Sequence, residues 1–208
     1  DDGRAQTARS FEVARAYRFT KGSGLPLRIP VIEMVEIGAG GGSIATVDGM
    51  GRIAVGPASA GSEPGPACYD RGGVDPTVTD ADLVMGRIDP AAFAGGAVTL
   101  APAKAEAALG EGIGAALDLT PALAGFAVSE MVGENMANAA RVHAIERGKD
   151  TESRTLVAFG GAAPLHAARL AEKLGIATVI IPTGAGVGSA IGFLRAPVSY
   201  EVVRSRIM

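Results

Sequence analysis

The chain has no tryptophan, one cysteine and two histidines in 208 residues, and aromatic side chains make up only 4% of it. Recognition dominated by aromatic stacking is therefore not expected. Cys68 cannot close an internal disulfide, and no His/Cys cluster has the spacing of a zinc site. A charged n-region followed by an apolar h-region is also missing at the N-terminus, so the default expectation is a reducing, cytoplasmic setting. No apolar run reaches the roughly 18 residues of a membrane span, which points to a soluble protein with no membrane partner. Charge of one sign is lacking as well. Nineteen Lys and Arg stand against 22 Asp and Glu, for a net charge of −3, and the basic residues are scattered. A nucleic-acid partner is not expected from that pattern.

Glycine is abundant, with 30 residues, in a background that is 48% hydrophobic with a mean hydropathy of +0.27. Small side chains and frequent glycine suit an α/β fold with tight strand-to-helix turns. The length allows one large domain or two small ones. Asp1-Asp-Gly-Arg reads as the tip of a turn and Met208 falls in strand-like sequence, so the expectation is a piece of a longer polypeptide.

The densest chemistry lies between Glu36 and Asp82. Ile37-Gly-Ala-Gly-Gly-Gly-Ser-Ile-Ala45 brings bare backbone N–H groups together at Gly40, Gly41 and Gly42, which suits close approach to an anion or a reactive carbonyl. A hairpin that merely turns explains the same glycines, and loop chemistry alone leaves both readings open. Ser43 to Asp48, the Gly49-Met-Gly51 turn and Arg52 to Val55 have the alternation of a β-hairpin, entered through the glycines. Val31 to Ile37 reads as an extended segment leading to them, and Arg9 to Tyr17 as strand or short helix. Gly56 to Pro76 carries too much Gly and Pro for helix or central strand and is expected to be a long functional loop. Asp80 or Thr79 is positioned to cap a helix over Ala81 to Met85. Asp80 and Asp82 together suit a divalent cation or a positioned water, while Asp80 as cap and Asp82 as first-turn acid suit the helix alone.

Pro102 to Leu117 is helical in propensity but interrupted by Gly110, Gly112 and Gly114. Thr120-Pro121 opens a long helical pattern that ends at Gly148. Thr155 to Phe159 and Ala177 to Ile181 read as buried strands, each followed by a glycine turn and a helix, which implies a parallel arrangement. Val198 to Ile207 suits a final strand. Gly160-Gly-Ala-Ala-Pro164 matches neither the phosphate-loop pattern nor the dinucleotide pattern. Two glycines opening a helix offer bare backbone to a flat ring or ribose and a helix dipole to an anion, or else they allow close strand–helix packing. His143 and His166, in helical sequence, read more readily as hydrogen-bonded structural residues than as bases. Cys68 has no neighbouring histidine and reads as a packing residue rather than a nucleophile.

Four segments in order, Ile37 to Ala45, Gly56 to Tyr69, Pro76 to Leu83 and Ala158 to Ala167, resemble the hydantoinase A/5-oxoprolinase family, and Ile181-Pro182 and Ser189-Ala-Ile-Gly192 extend the match. The resemblance implies part of an actin-like, Hsp70-like (ribonuclease H-like) ATPase fold. It would divide residues 1–208 into a Gly-rich hairpin and loop (31–96), a helical segment (102–148) and strand–helix units (155–208). It implies ATP with Mg²⁺ or another divalent cation, and a small-molecule substrate. That substrate would be a cyclic amide such as a hydantoin or 5-oxoproline, activated by phosphorylation of its carbonyl, or a ketone to be carboxylated. A non-catalytic assembly subunit that uses nucleotide to hold a partner is a third implication. A partner of the hydantoinase B type, hence a hetero-oligomer, is implied too. On this resemblance Gly40, Gly41, Gly42 and Asp80 would be catalytic, Gly160, Gly161, Ala162 and Pro164 would hold the nucleoside, and Asp80 and Asp82 would take the metal. The upstream Asp-x-Gly-Gly-Thr phosphate motifs of such proteins are absent, and Ala162-Ala163 stands where Ala/Gly-Gly variants are frequent. The expectation is a fragment without turnover of its own.

Overall fold

In the computed structural model, residues 7–8, 11–13, 22, 24–32, 34–198, 200 and 202 are described. The chain opens with two short antiparallel pairs. β1 (Thr7–Ala8) lies against β4 (Val31–Ile32), and β2 (Phe11–Val13) against β3 (Leu25–Leu27). Phe11–Val13 is thus strand rather than helix, and from Met34 to Ala39 the chain runs on without regular structure to the glycines.

β5 (Ser43–Val47) and β6 (Ile53–Ser59) form the expected antiparallel hairpin, with Val47 opposite Ile53 and Ala45 opposite Val55. Asp48 builds its turn. Its Oδ1 accepts from the N–H groups of Met50 and Arg52, and its Oδ2 from Arg52 Nε at 2.8 Å. The sequence expectation ends this strand at Val55, but β6 continues through Gly56-Pro57 to Ser59. A register shift between Ser43 and Ala45 lies opposite this extension, and proline, which donates nothing to a ladder, is tolerated at such an irregularity.

Three helices pack on the hairpin. α1 (Val78–Val84) begins three residues earlier than expected, because Thr77 rather than Thr79 or Asp80 is its N-cap. The Thr77 hydroxyl accepts from the Asp80 N–H, and the Asp80 carboxylate accepts from the Thr77 N–H, a reciprocal capping box that satisfies donors at both ends. α2 (Pro102–Leu109) does not stop at its glycines. It passes through a wider turn over residues 110–114 into α3 (Ala115–Leu117), where Asp118 turns left-handed. A Cβ on Gly112 would lie 2.8 Å from Pro76, and one on Gly114 would lie 2.5 Å from the Leu119 carbonyl. Close packing, not helix breaking, explains these glycines.

α4 (Pro121–Glu146) starts and ends as its caps dictate: Thr120 Oγ1 accepts from the Leu123 N–H, Pro121 fills the first turn, and Gly148 follows with φ +62°. α1, α2, α4 and the hairpin share one core, containing Ala45, Val55, Val78, Ala81, Leu109, Ile113, Val128 and Val132. No single helix among the described residues is long and apolar enough to cross a membrane.

β7 (Thr155–Val157) and β8 (Thr178–Ile180) pair in parallel, in register from Thr155–Thr178 to Val157–Ile180. α5 (Ala163–Leu174) connects them, stopping at Gly175 with φ +69°, and α6 (Gly188–Arg195) follows β8. Both strand–glycine turn–helix units are therefore present, but Val157, Phe159, Ile180 and Ile181 are exposed, so these strands are not the buried ones expected. The expected strand over 198–207 lies largely outside the described residues.

Candidate functional site

The glycine loop is held from below by α1. The Thr79 N–H donates to the Gly41 carbonyl at 2.8 Å, and the Ala60 N–H donates to the Gly42 carbonyl at 2.9 Å. Ser43 closes the loop on itself: its hydroxyl accepts from the Gly40 N–H at 3.0 Å and donates to the Gly38 carbonyl at 3.3 Å. With the carbonyls of Gly41 and Gly42 turned inward to these donors, their own N–H groups meet no acceptor among the described residues. Two adjacent, half-buried, unpaired donors are an arrangement that can stabilise developing negative charge.

Asp80 is fully buried and fully engaged. Its Oδ1 accepts from the Cys68 N–H at 2.8 Å. Its Oδ2 accepts from the Thr77 N–H and hydroxyl at 2.9 and 2.7 Å, and from the Ala67 N–H at 3.3 Å. The residue pins the Gly/Pro loop to the start of α1. Cys68 beside it is completely buried, and burial together with the Asp80 charge pushes its thiol pKa up. It is a packing residue, as its sequence context suggested.

Gly160 and Gly161 sit at the end of β7, Gly160 with φ +100° and with its N–H donating to the Ala185 carbonyl of the second glycine turn at 2.7 Å. A Cβ on either would meet nothing within 4 Å. Among the described residues, close strand–helix packing therefore does not account for this pair, and its backbone face is uncovered. Ala162 is the N-cap of α5 and offers no side-chain cap, Pro164 in the first turn has no N–H, and the Leu165 N–H is taken by the Ala162 carbonyl. Among the described residues no side chain caps the start of α5, which leaves its first backbone donors without a side-chain acceptor.

Asp82, Arg87, Ser129 and His166 form a cluster that sequence reasoning did not bring together. His166 Nε2 lies 3.0 Å from Asp82 Oδ2, Arg87 Nη1 donates to Asp82 Oδ1 at 2.9 Å and to Ser129 Oγ at 2.6 Å, and it approaches His166 Nδ1 at 3.5 Å. Arginine only donates, so this geometry matches the tautomer with its proton on Nε2, facing Asp82. Asp82 is 1% exposed and His166 4%. The histidine is structural in the sense expected, but its partner stands 84 positions away, where no local pattern reveals it.

The metal assignment to Asp80 and Asp82 does not fit this geometry. Asp80 is covered by four donors, Asp82 is neutralised by a guanidinium, and residues two apart on a helix face different ways. Among the described residues no group of three or more His, Cys, Asp or Glu converges to hold a metal ion.

The sequence profile of the hydantoinase/oxoprolinase family matches residues 2–202. The chain is 44% identical to the acetophenone carboxylase gamma subunit of Aromatoleum aromaticum over 79% of its length and 23% of that protein. It is 40% identical to the caprolactamase subunit alpha of Pseudomonas jessenii over 83% of its length and 25% of that protein. A nucleotide-free structure of acetone carboxylase, described in connection with ATP-dependent acetone carboxylation, superposes with a TM-score of 0.75. It shares 32% identity, covering 81% of this chain and 24% of that one. The chain thus spans about a quarter of the length of these mixed α/β relatives.

Proposed function

The chain belongs to the hydantoinase/oxoprolinase family, and from that premise we propose that it supplies the glycine loop and the nucleoside-side turn of an ATP-dependent subunit that activates a carbonyl group. The observation that carries this reading is the pair of unpaired N–H groups at Gly41 and Gly42, tied through Thr79 to the same helix that reaches α5 through Asp82 and His166. β7, α5, β8 and α6 would then be the strand–turn–helix units of an actin-like ATPase fold.

An amide carbonyl resists attack because resonance with nitrogen stabilises it. ATP, when bound, supplies a phosphoryl group to that oxygen. The N–H groups of Gly41 and Gly42 would stabilise the negative charge of the phosphoryl group as it is passed to that oxygen, and each preorganised donor contributes on the order of 3 kcal/mol in a site of this kind. Gly160 and Gly161 admit the nucleoside against bare backbone, and Ala162 and Pro164 fix the start of α5 beside it.

The substrate of this reading is a cyclic amide, in keeping with the caprolactamase relative. A ketone carboxylase is the second reading, favoured by the 44% identity to an acetophenone carboxylase subunit. Both use the same activation, and both call for a partner subunit of the hydantoinase B type in a hetero-oligomer, since the relatives are themselves subunits. Phosphate release from ATP by the full polypeptide with its partner, measured with a lactam or hydantoin and separately with a ketone plus bicarbonate, distinguishes them. Stimulation by the cyclic amide alone supports the first reading. Stimulation by the ketone alone replaces it with the second, and release that neither compound alters contradicts both.

A further inference from the structure

Three residues of one helix reach three parts of the molecule. Thr79 clamps the glycine loop at Gly41, Asp80 clamps the Gly/Pro loop at Ala67 and Cys68, and Asp82 meets His166 in the first turns of α5. Thr79 and Asp82 stand only three residues apart, about 4.5 Å along the helix axis. The Gly160–Gly161 turn leads directly into α5, so its position relative to the glycine loop depends on where His166 is held.

We propose that the cluster of Asp82, His166, Arg87 and Ser129 is a positioning device that sets the nucleoside-side turn at the distance from the glycine loop that the reaction needs. It rests on the reading of Gly160 and Gly161 as the nucleoside turn. Asp82 is the hub: one carboxylate oxygen takes His166 from α5, the other takes Arg87, and Arg87 extends the link to Ser129 on α4. A salt bridge of this kind gains little stability over well-packed apolar residues, whereas it fixes direction, because each partner accepts only one geometry. Asp82, Ser129 and His166 are buried while the Arg87 side chain is 24% exposed, so the Asp82–His166 contact is the shielded part of the cluster.

The test measures the dissociation constant for ATP by equilibrium binding on the full polypeptide with its partner. His166→Leu keeps volume and leaves Asp82 paired with Arg87, so no buried charge is stranded. It is expected to weaken ATP binding about tenfold, by analogy with the loss on removing a residue that orients a metal ligand, with unchanged binding stoichiometry. His166→Gln, which retains a donor towards Asp82, is expected to restore most of the loss. Ser129→Ala removes only the second acceptor of Arg87 and is expected to weaken binding about two- to threefold by loosening Arg87. It keeps the proposal testable if His166→Leu does not fold. Gly161→Val, at an open position, is the control for the underlying reading. If Gly161→Val weakens ATP binding but neither His166→Leu nor Ser129→Ala does, the positioning role is overturned and the nucleoside turn stands. If Gly161→Val also has no effect, the nucleoside turn itself is wrong. A loss in stoichiometry at constant affinity, or equal defects in His166→Leu and His166→Gln, also overturns the positioning role, since simple destabilisation produces the first and simple packing the second.

Discussion

Thr79 both holds Gly41 and leaves no room for a side chain there. The Thr79 N–H donates to the Gly41 carbonyl at 2.8 Å, and the Thr79 Oγ1 occupies the space a Gly41 side chain would need, 2.6 Å from where its Cβ would stand. Thr79 is buried and its branched side chain has few rotamers to retreat into. A bulky residue at Gly41 would therefore disturb the fold as well as any chemistry. Gly41→Ala is expected to destabilise by about 1 to 3 kcal/mol. Thr79→Ala in the same chain should recover much of that loss, a non-additivity that a double-mutant cycle of thermal stability measures.

Gly40 offers the cleaner probe. Its added Cβ would meet nothing within 4 Å, and its φ is not left-handed. Gly40→Ala is expected to leave thermal stability unchanged within about 0.5 kcal/mol. Gly40→Val crowds the open side of the loop, and it should lower turnover of the full complex while the melting temperature stays close to wild type.

Asp80 holds the Gly/Pro loop rather than a metal. Asp80→Ala strips the acceptor from the buried N–H groups of Ala67, Cys68 and Thr77, each worth about 1 to 3 kcal/mol when left unsatisfied. The expected result is new cleavage within residues 60–75 under limited proteolysis, at protease concentrations that leave the wild type intact there.

Cys68 is expected to resist alkylation in the native protein at pH 8 and to react fully once the chain is unfolded. Burial and the Asp80 charge both disfavour the thiolate. Mass spectrometry of iodoacetamide-treated protein reads the outcome.

Glu130 accepts from Arg169 and Lys173, and these hydrogen bonds hold its carboxyl at about 2, below its ordinary 4.5. A depressed acid contributes stability above its unfolded pKa and loses it as the pH falls through the folded value. The contribution should decline from about pH 4.5 to about pH 2. The side chain is partly solvated, which limits the effect to under about 1 kcal/mol. Glu130→Gln should flatten the stability profile across that window and leave it parallel to wild type above pH 6.

The parts of this molecule that were readable in sequence are those where local rules decide. Alternation around Gly49-Met-Gly51 located the hairpin, Thr120-Pro121 and Gly148 bounded α4, and two apolar runs followed by glycine turns located β7 and β8. Local signals say less where tertiary contact overrides them. Gly112 and Gly114 look like helix breakers but make room for Pro76 and Leu119, and Pro57 looks like a strand end but sits opposite an irregular register. Thr77-Val-Thr-Asp80 did carry a capping signature, Thr followed three residues later by an acid, which would have placed the helix start correctly. The Asp82–His166 pair carried none, because only packing of α1 against α4 and α5 brings those positions together.

Isotope transfer tests carbonyl activation most directly. The full polypeptide with its partner would be given ATP and a lactam labelled with oxygen-18 at the carbonyl. If the phosphoryl group passes to that oxygen, water then adds at carbon, the ring nitrogen leaves with a proton, and a second water at carbon releases phosphate with the former carbonyl oxygen attached. Inorganic phosphate carrying the label, in proportion to ring opening, is the predicted result. Ring opening with unlabelled phosphate and all of the oxygen-18 in the carboxylate would contradict it.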